Sequence, residues 1–140
     1  MESDANVSGE VARDIGALPE VMRLVETFFS ETHADPNVRF PVELALEEIF
    51  TNVVKYNAVG KGRIKIDLGI RNDDVIVTVT DFDTPRFDPV GDAPEVNIDE
   101  PLQRRSAGGL GIHLVKKMMD RIEYSHQNRT GTITLHKRMN

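Results

Sequence analysis

The first half of the chain distributes apolar and polar residues with the period of an α-helix in two segments. In the first, residues 17–33, apolar side chains recur every three or four positions, and Pro19 suits a first helical turn. The second begins at Pro41 and runs to about Asn57, where AVGKG, with its two glycines, ends the pattern. The sequence therefore predicts two amphipathic helices separated by a break at ADPN.

A period of two residues follows, which is typical of β-strands. Apolar side chains alternate with polar or small ones across residues 63–70 and again across residues 74–81. The intervening RNDD is typical of a hairpin turn, so the two strands should pair antiparallel. Two further strands, residues 122–127 and 131–138, are predicted to form a second hairpin through NRTG.

Periodicity disappears between Phe82 and about Ala107, where four prolines and several acidic residues occur. A segment of this length without secondary structure is uncommon inside a small domain, and it usually acts as a lid or a binding loop or is disordered. The glycine-rich AGGLG follows and leads into a third helix, predicted over residues 112–122.

The order helix, helix, hairpin, loop, helix, hairpin predicts an α+β fold. Its two layers would be a mostly antiparallel sheet and helices that cover one face of it. Residues 1–16 begin with the acidic and polar MESDANVSGE, and we expect them to be a partly disordered lead-in. Residues 17–140 should then form a single domain, with a lid over about residues 83–108.

Composition narrows the class of function. A chain of 140 residues with 29% charged side chains fits one soluble globular domain, and no apolar run approaches the length of a membrane span. The absence of cysteine excludes disulfides and thiolate metal sites, as is usual in a reducing cytoplasm. A net charge of −6 disfavours a general nucleic-acid binder but allows a local site for a small anion. The four histidines are scattered without metal-ligand spacing.

Three polar residues, Glu48, Asn52 and Lys55, share one face of the second predicted helix, because residues three and four positions apart are neighbours on a helix. The simplest interpretation is the solvated face of an amphipathic helix. The alternative is a wall beside a ligand. An asparagine oxygen suits Mg²⁺ that bridges phosphates, and a carboxylate one turn earlier could take a proton from an attacking hydroxyl. This spacing alone also occurs by chance.

Two further signals lie downstream. Asp81 ends a strand, where its carboxylate could accept a hydrogen bond from the amino group of a base or simply cap a turn. Gly108, Gly109 and Gly111 precede a predicted helix. Glycines there allow the backbone to approach phosphates, and the helix start offers free N–H groups. Ordinary loop-to-helix transitions use glycine as well.

In this order the three motifs resemble the N, G1 and G2 boxes of the GHKL ATPase superfamily, which includes gyrase and the histidine kinases. The nucleotide domain of that superfamily is the Bergerat, or histidine-kinase-like, α/β sandwich. The resemblance covers residues 18–137 and is strongest to one branch, the small bacterial anti-sigma factors that are also serine-protein kinases. Further matches to that branch are F-D-P at residues 87–89, G-G-L-G at residues 108–111, Met119-Asp120 and Gly131-Thr132.

The resemblance implies roles for individual residues. Glu48 would be the general base that activates a serine hydroxyl of a protein substrate, Asn52 would hold Mg²⁺, and Asp81 would recognise the amino group of adenine. Gly109 and Gly111 would contact phosphates. The other residues that the resemblance places at the ATP site are Gly108, Thr132, Asp83, the basic Lys55, and Arg104 and Arg105 late in the lid.

Some of these assignments have alternatives. Arg104 and Arg105 could neutralise charge on the γ-phosphate, or they could be a solvated basic pair. The family usually has D-x-G after its acid, whereas this chain has Asp83 at the third position, which restricts the backbone and adds negative charge. The run before Phe87 is one residue longer than usual, so Asp83 could itself be the matching acid. The first box usually continues to a histidine where this chain has Tyr56.

The function that the resemblance implies is partner switching in the cytoplasm. The protein, expected to be a homodimer, would bind and inhibit a sigma factor and use MgATP to phosphorylate a serine of an anti-anti-sigma (STAS) protein, without direct contact to nucleic acid or membrane. The exposed charges of the first helix, Glu20, Arg23 and Glu26, could serve the dimer or the sigma factor, although such charges are usually just solvated.

Two other functions remain open from the sequence. One is a partner-sequestering module with a degenerate, weakly nucleotide-binding or non-catalytic ATP site, for which Asp83 is the motivating feature. The other is an ATPase or kinase domain that acts on a different circuit, because a fold does not determine its substrate.

Overall fold

A computed structural model describes residues 5–57, 62–92 and 109–139. Three α-helices, five strands and two short 3-10 helices follow one another in this part of the chain. In chain order they are strand β1 (Ala5–Val11), a 3-10 helix (Ile15–Ala17), helix α1 (Leu18–Glu31), a 3-10 helix (Pro36–Val38), helix α2 (Arg39–Tyr56), strands β2 (Ile64–Arg71) and β3 (Asp74–Asp81), helix α3 (Gly109–Met118), and strands β4 (Arg121–Gln127) and β5 (Thr130–Arg138).

The five strands form one open antiparallel sheet in the order β1-β2-β3-β5-β4. The β4–β5 turn places Asn128 and Arg129 at φ values of 53° and 60°, and two successive positive φ values are typical of the type I′ two-residue hairpin turn. In the register of β3 with its neighbours, Asp81 lies opposite Ile64 on one side and Gly131 on the other. The predicted α+β fold is confirmed.

The core lies between the helices and one face of the sheet. Val75, Val77 and Val79 of β3 are buried, whereas the residues between them are only half-buried, as expected for a strand with one covered face. The covering helices contribute large side chains that are less than 2% exposed, among them Phe28 of α1 and Phe50 of α2. Asp81 continues the inward series of β3, so a carboxylate stands at the edge of the core.

The N-terminal strand lies within the expected lead-in. Residues 5–11 belong to a segment that the sequence predicts to be partly disordered, and in the structure they form β1, which pairs along β2. Val7 and Val11 are buried, and a Cβ at Gly9 would lie 3.0 Å from the Leu24 side chain, so α1 packs closely over this strand. In the sequence of this strand only Val7 and Val11 are large and apolar, which is too few to show a strand pattern. Its backbone hydrogen bonds to β2 do not depend on side-chain type, so they leave no signal in the sequence.

Helix α3 is shorter at its C-terminus than the predicted 112–122. It ends at Met118, and residues 121 and 122 already belong to β4. The chain turns at Asp120, whose N–H donates to His136 O at 2.9 Å and whose carboxylate accepts from Arg138 N–H at 2.6 Å. These bonds to β5 compete with further helical turns. Within the described ranges, the structure contains no helix that is long and apolar enough to cross a membrane.

Candidate active site

The polar face of α2 is directed towards α3. Glu48 is half-buried, and a Cβ built on Gly111 would overlap its carboxyl group. Only glycine therefore allows the first turn of α3 to pack at this distance from Glu48. The structure thus brings the acid of the first motif together with a glycine of the third, although they are 63 positions apart in the sequence.

The surroundings of Glu48 make it a stronger base than an exposed glutamate. Burial raises the pKa of Glu48, the neighbouring charge of Glu47 raises it further, and the charge of Lys55 lowers it. Lys55 itself is exposed, on the same side of α2. A carboxylate with a raised pKa has more driving force to take a proton from a hydroxyl group, as long as it is ionised.

Asn52, one turn after Glu48, connects α2 to the F-D-P segment. Its side-chain Nδ2 donates to Pro89 O at 3.1 Å. This contact uses the amide nitrogen and not the oxygen, which is the atom that a divalent cation would bind. No group of three or more His, Cys, Asp or Glu side chains in the described part of the chain could hold a metal ion by itself. The donor set fits a Mg²⁺ that takes its remaining ligands from phosphates and water.

Asp81 lines a small cleft beside these residues. It is 9% exposed and lies on the face of the sheet that the helices cover. The other residues of the cleft are Val53, Val79, Phe87, Pro89, Tyr124, Gly131 and Ile133. Its open space is about 10 Å³, enough for one water, so a base can enter only if a wall moves. The wall that comes from a loop is formed by Phe87 and Pro89.

Residues 84–92, which we call the cover segment, are fastened across this cleft at two points. The first is Thr84, which is 2% exposed. Its N–H donates to Arg129 O at 2.8 Å, and its carbonyl oxygen lies 2.8 Å from His126 Nε2. Its hydroxyl oxygen accepts from Asn57 Nδ2 at 3.2 Å, so this residue joins α2 to the β4–β5 hairpin.

The second fastening point is Phe87. Its N–H donates to the Tyr124 hydroxyl at 3.0 Å, and its ring stacks on Tyr56 with centroids 3.8 Å apart and planes 6° from parallel. Burial raises the pKa of Tyr124, so the hydroxyl keeps its proton at neutral pH. The tyrosine that stands where the family usually has histidine therefore supports the cover segment. The sequence offered no signal for Tyr124.

Asp83 lies outside the cleft. It has a φ of 54°, the left-handed region that glycine adopts without strain and that aspartate tolerates better than most residues. Its Oδ1 accepts from Arg129 Nε at 2.9 Å, and both side chains are about two-thirds exposed. Aspartate thus adopts here a backbone conformation that glycine would adopt without strain. Asp81, and not Asp83, is the acid in the cleft.

Thr132, another candidate nucleotide contact, lies away from this cluster. It pairs with Thr80 and Ser125 on neighbouring strands, whereas Asp81 pairs with Gly131. Because successive side chains of a strand point to opposite faces, Thr132 lies on the face away from the helices. Gly131 takes the place in the cleft, with Tyr124 Oη 3.1 Å from where its Cβ would be.

The remaining predicted residues fall partly outside the described ranges. Gly109 and Gly111 lie in the first turn of α3. Arg104, Arg105 and Gly108, like most of the predicted lid, belong to residues 93–108, outside the described part of the chain.

Arg13 is a site residue that sequence reasoning missed. It follows β1, its side chain is 3% exposed, and Nη2 forms an ion pair with Asp81 Oδ1. Nε donates to Gly62 O and Nη2 to Phe82 O, both at 3.2 Å. A bond across 68 residues leaves no local pattern in a sequence.

Comparison with known proteins agrees with this geometry. Residues 11–137 match the histidine kinase-like ATPase domain family. The serine-protein kinase RsbW of Oceanobacillus iheyensis is 27% identical over 92 residues, 61% of this chain and 57% of that protein. RsbW of Bacillus velezensis is 30% identical over 108 residues, 71% of this chain and 64% of that protein. The chain thus spans less than two thirds of the length of either relative. Because the family match covers nearly all of the described fold, the chain belongs to the histidine kinase-like ATPase domain family.

Proposed function

We propose that this protein is an ATP-dependent serine-protein kinase that acts in bacterial partner switching. The observation that carries the proposal is the packing of Glu48 against Gly111, because it places a base of raised pKa beside the start of α3. Anions favour helix starts, where N–H groups are free of intrahelical partners. Both relatives described above are named serine-protein kinases.

In this mechanism Glu48 takes the proton of a serine hydroxyl on the protein partner while that oxygen bonds to the γ-phosphorus of ATP and ADP leaves. The N-terminal turn of α3, with Gly109 and Gly111, approaches the phosphates, and Lys55 adds positive charge nearby. Asn52 would hold Mg²⁺, which neutralises charge on the triphosphate when it is bound.

Asp81 supplies base recognition. It would accept a hydrogen bond from the exocyclic amino group of adenine once Phe87 and Pro89 have moved outward. Its carboxylate is held in the cleft before the base arrives, so little reorganisation is needed on binding.

The partners follow from the same proposal. The phosphorylated serine would belong to a STAS anti-anti-sigma protein, and the competing partner would be a sigma factor, which the kinase inhibits in the cytoplasm as a homodimer. Glu20, Arg23 and Glu26 of α1 are exposed and could contribute to such a surface.

A second candidate is a module that sequesters a partner and uses nucleotide weakly or not at all. The observation that favours it is the narrowness of the cleft, about 10 Å³ with the cover segment in place. Fastening at Thr84 and Phe87 opposes opening, so the free energy needed to move the segment would reduce affinity for ATP.

The two candidates are separated by phosphoryl transfer from labelled ATP to STAS proteins of the same genome. We expect transfer by the wild-type protein and a loss of about a hundredfold or more in Glu48→Gln. Glu47→Gln is the matched control, since it removes the adjacent exposed carboxylate, which affects Glu48 only through its charge, and leaves the Glu48 carboxylate in place. Equal transfer by Glu48→Gln and wild type would rule out the base assignment. No transfer to any STAS protein by the wild type would favour the sequestering module.

A further inference from the structure

The buried ion pair between Arg13 and Asp81 stands at the edge of the cleft. Asp81 lines the cleft. Arg13 lies outside the cleft and binds Asp81 Oδ1. The guanidinium also bonds to Gly62 O and Phe82 O, which fixes its plane at the ends of β2 and β3. Arg13, which follows β1, thus holds the carboxylate at the end of β3 in place.

Stability alone is a poor explanation for this pair. The desolvation of two charges often cancels their attraction in a protein interior, and apolar residues of similar size can replace such pairs without loss. Arg13 carries an additional cost, because Nη1 is buried and has no hydrogen-bond partner in the part of the chain that the structure describes. A buried charge with a specific partner beside a cleft is a candidate for a functional group.

A carboxylate that recognises an amino group must keep its orientation. The guanidinium provides this, because it binds Asp81 Oδ1 in a fixed geometry. Phe82 O and Gly62 O hold the guanidinium in turn, so a rotation of Asp81 away from Arg13 would break their ion pair.

We propose that Arg13 is a positioning residue for base recognition, which orients Asp81 so that the site prefers a purine with an exocyclic amino group to one with a carbonyl oxygen at the same position. This inference rests on the proposed nucleotide binding. It assigns base selectivity to a residue just after the N-terminal strand, which is distant in sequence from the motifs that form the rest of the site.

The test compares the affinities of ATP and inosine triphosphate (ITP), whose base has an oxygen in place of the amino group. Both are titrated into wild type, Arg13→Met and Arg13→Lys. In the wild type we expect a preference for ATP of about tenfold to a hundredfold, the range for one hydrogen bond to a charged group. Arg13→Met keeps the length of the side chain and should reduce the preference to about threefold or less. Arg13→Lys keeps the charge but lacks the planar fork and should fall between the two.

Arg63→Met is the matched control. Arg63 also bonds to the first strand region, donating to Glu10 O at 3.1 Å, but its side chain is 55% exposed and it does not contact Asp81. Its preference for ATP should equal that of the wild type.

The outcomes separate the inference from the proposed function. If Arg13→Met weakens ATP and ITP equally and keeps the preference, Arg13 only supports the fold and the inference is wrong. If Arg13→Met does not fold, Arg13→Lys decides in the same way, since an unchanged preference would overturn the positioning role. If the wild type binds neither nucleotide, the proposed function fails first.

Discussion

At the scale of single residues, the site depends on close approach between parts of the chain that are far apart in sequence. Gly111 is required because the Glu48 carboxyl group occupies the space of its missing Cβ. From the sequence, the expected role of this glycine is close approach to phosphates. Its packing against Glu48 is visible only in the structure.

Gly111→Ala should therefore both destabilise the protein and impair its activity. The added methyl group must displace Glu48 or shift α3, which we expect to cost about 1–3 kcal/mol of unfolding free energy. Phosphoryl transfer should fall at least tenfold, because a displacement of this size removes the base from its position. Gly16→Ala is the control, since its nearest neighbour would lie at an ordinary 3.5 Å. Wild-type stability and activity in Gly111→Ala would show that Glu48 is not held against α3.

The raised pKa of Glu48 predicts how stability depends on pH. Because burial raises this pKa, the folded state favours the protonated carboxyl group, and that advantage is present below pH 4.5 and lost as pH rises through the raised value. Glu48→Gln has no such loss. Its unfolding free energy relative to wild type should increase from pH 4 upward and become constant once Glu48 is ionised. Urea unfolding of both proteins between pH 4 and pH 8 measures this difference, and a constant difference would contradict the assigned environment.

The substitution Asp83→Gly tests whether Asp83 weakens the proposed nucleotide site. Its carboxylate is paired with Arg129 outside the cleft, so Asp83→Gly should change the affinity for ATP by less than about threefold, as expected for an exposed ion pair. Stability should change by no more than about 1 kcal/mol, because relief of the positive φ offsets the added freedom of glycine in the unfolded chain. A large gain in ATP affinity, measured by calorimetry, would mean that Asp83 closes the site.

At the scale of elements, the proposed nucleotide binding requires the cover segment to move. It has no regular secondary structure. Single hydrogen bonds hold it over the cleft, and they join it to the side chains of Tyr124, His126, Asn57 and Asn52 and to Arg129 O. Such fastenings open with small free energies, as is common for segments that admit ligands.

Removal of the Tyr124 hydroxyl should loosen this segment without unfolding the sheet. In Tyr124→Phe the Phe87 N–H loses its acceptor, a contribution of about 1 kcal/mol, so its hydrogen exchange should become about fivefold faster or more. The Met119 N–H, bonded to Val115 O, provides an internal control that should not change. Unchanged exchange at Phe87 would show that other contacts hold the segment.

The elements also show what local sequence reveals. The helices α1 and α2 and the β2–β3 hairpin have clear periodicity over many residues, and they occur within two residues of their predicted bounds. Strand β1 and the end of α3 were not predicted because bonds to β2 and β5 determine them. The same holds for the site. Asp81 is marked by its position at the end of a strand, whereas only tertiary structure brings Arg13 and Tyr124 to the cleft.

At the scale of the whole molecule, a single antiparallel sheet and the helices on it place the site. Helices α2 and α3 contact each other, and the end of β3 lies under α2, so the three motifs of the sequence meet although they are distributed over more than 60 residues. The central claim is that this meeting point is a MgATP site.

Calorimetric titration of ATP with and without Mg²⁺ tests that claim most directly. Asn52→Ala is compared with Asn57→Ala, because both amides fasten the cover segment but only Asn52 offers a ligand for the metal beside Glu48. We predict micromolar binding that requires Mg²⁺, is lost in Asn52→Ala and persists in Asn57→Ala. Binding that ignores both Mg²⁺ and Asn52, or no binding at all, would contradict the account.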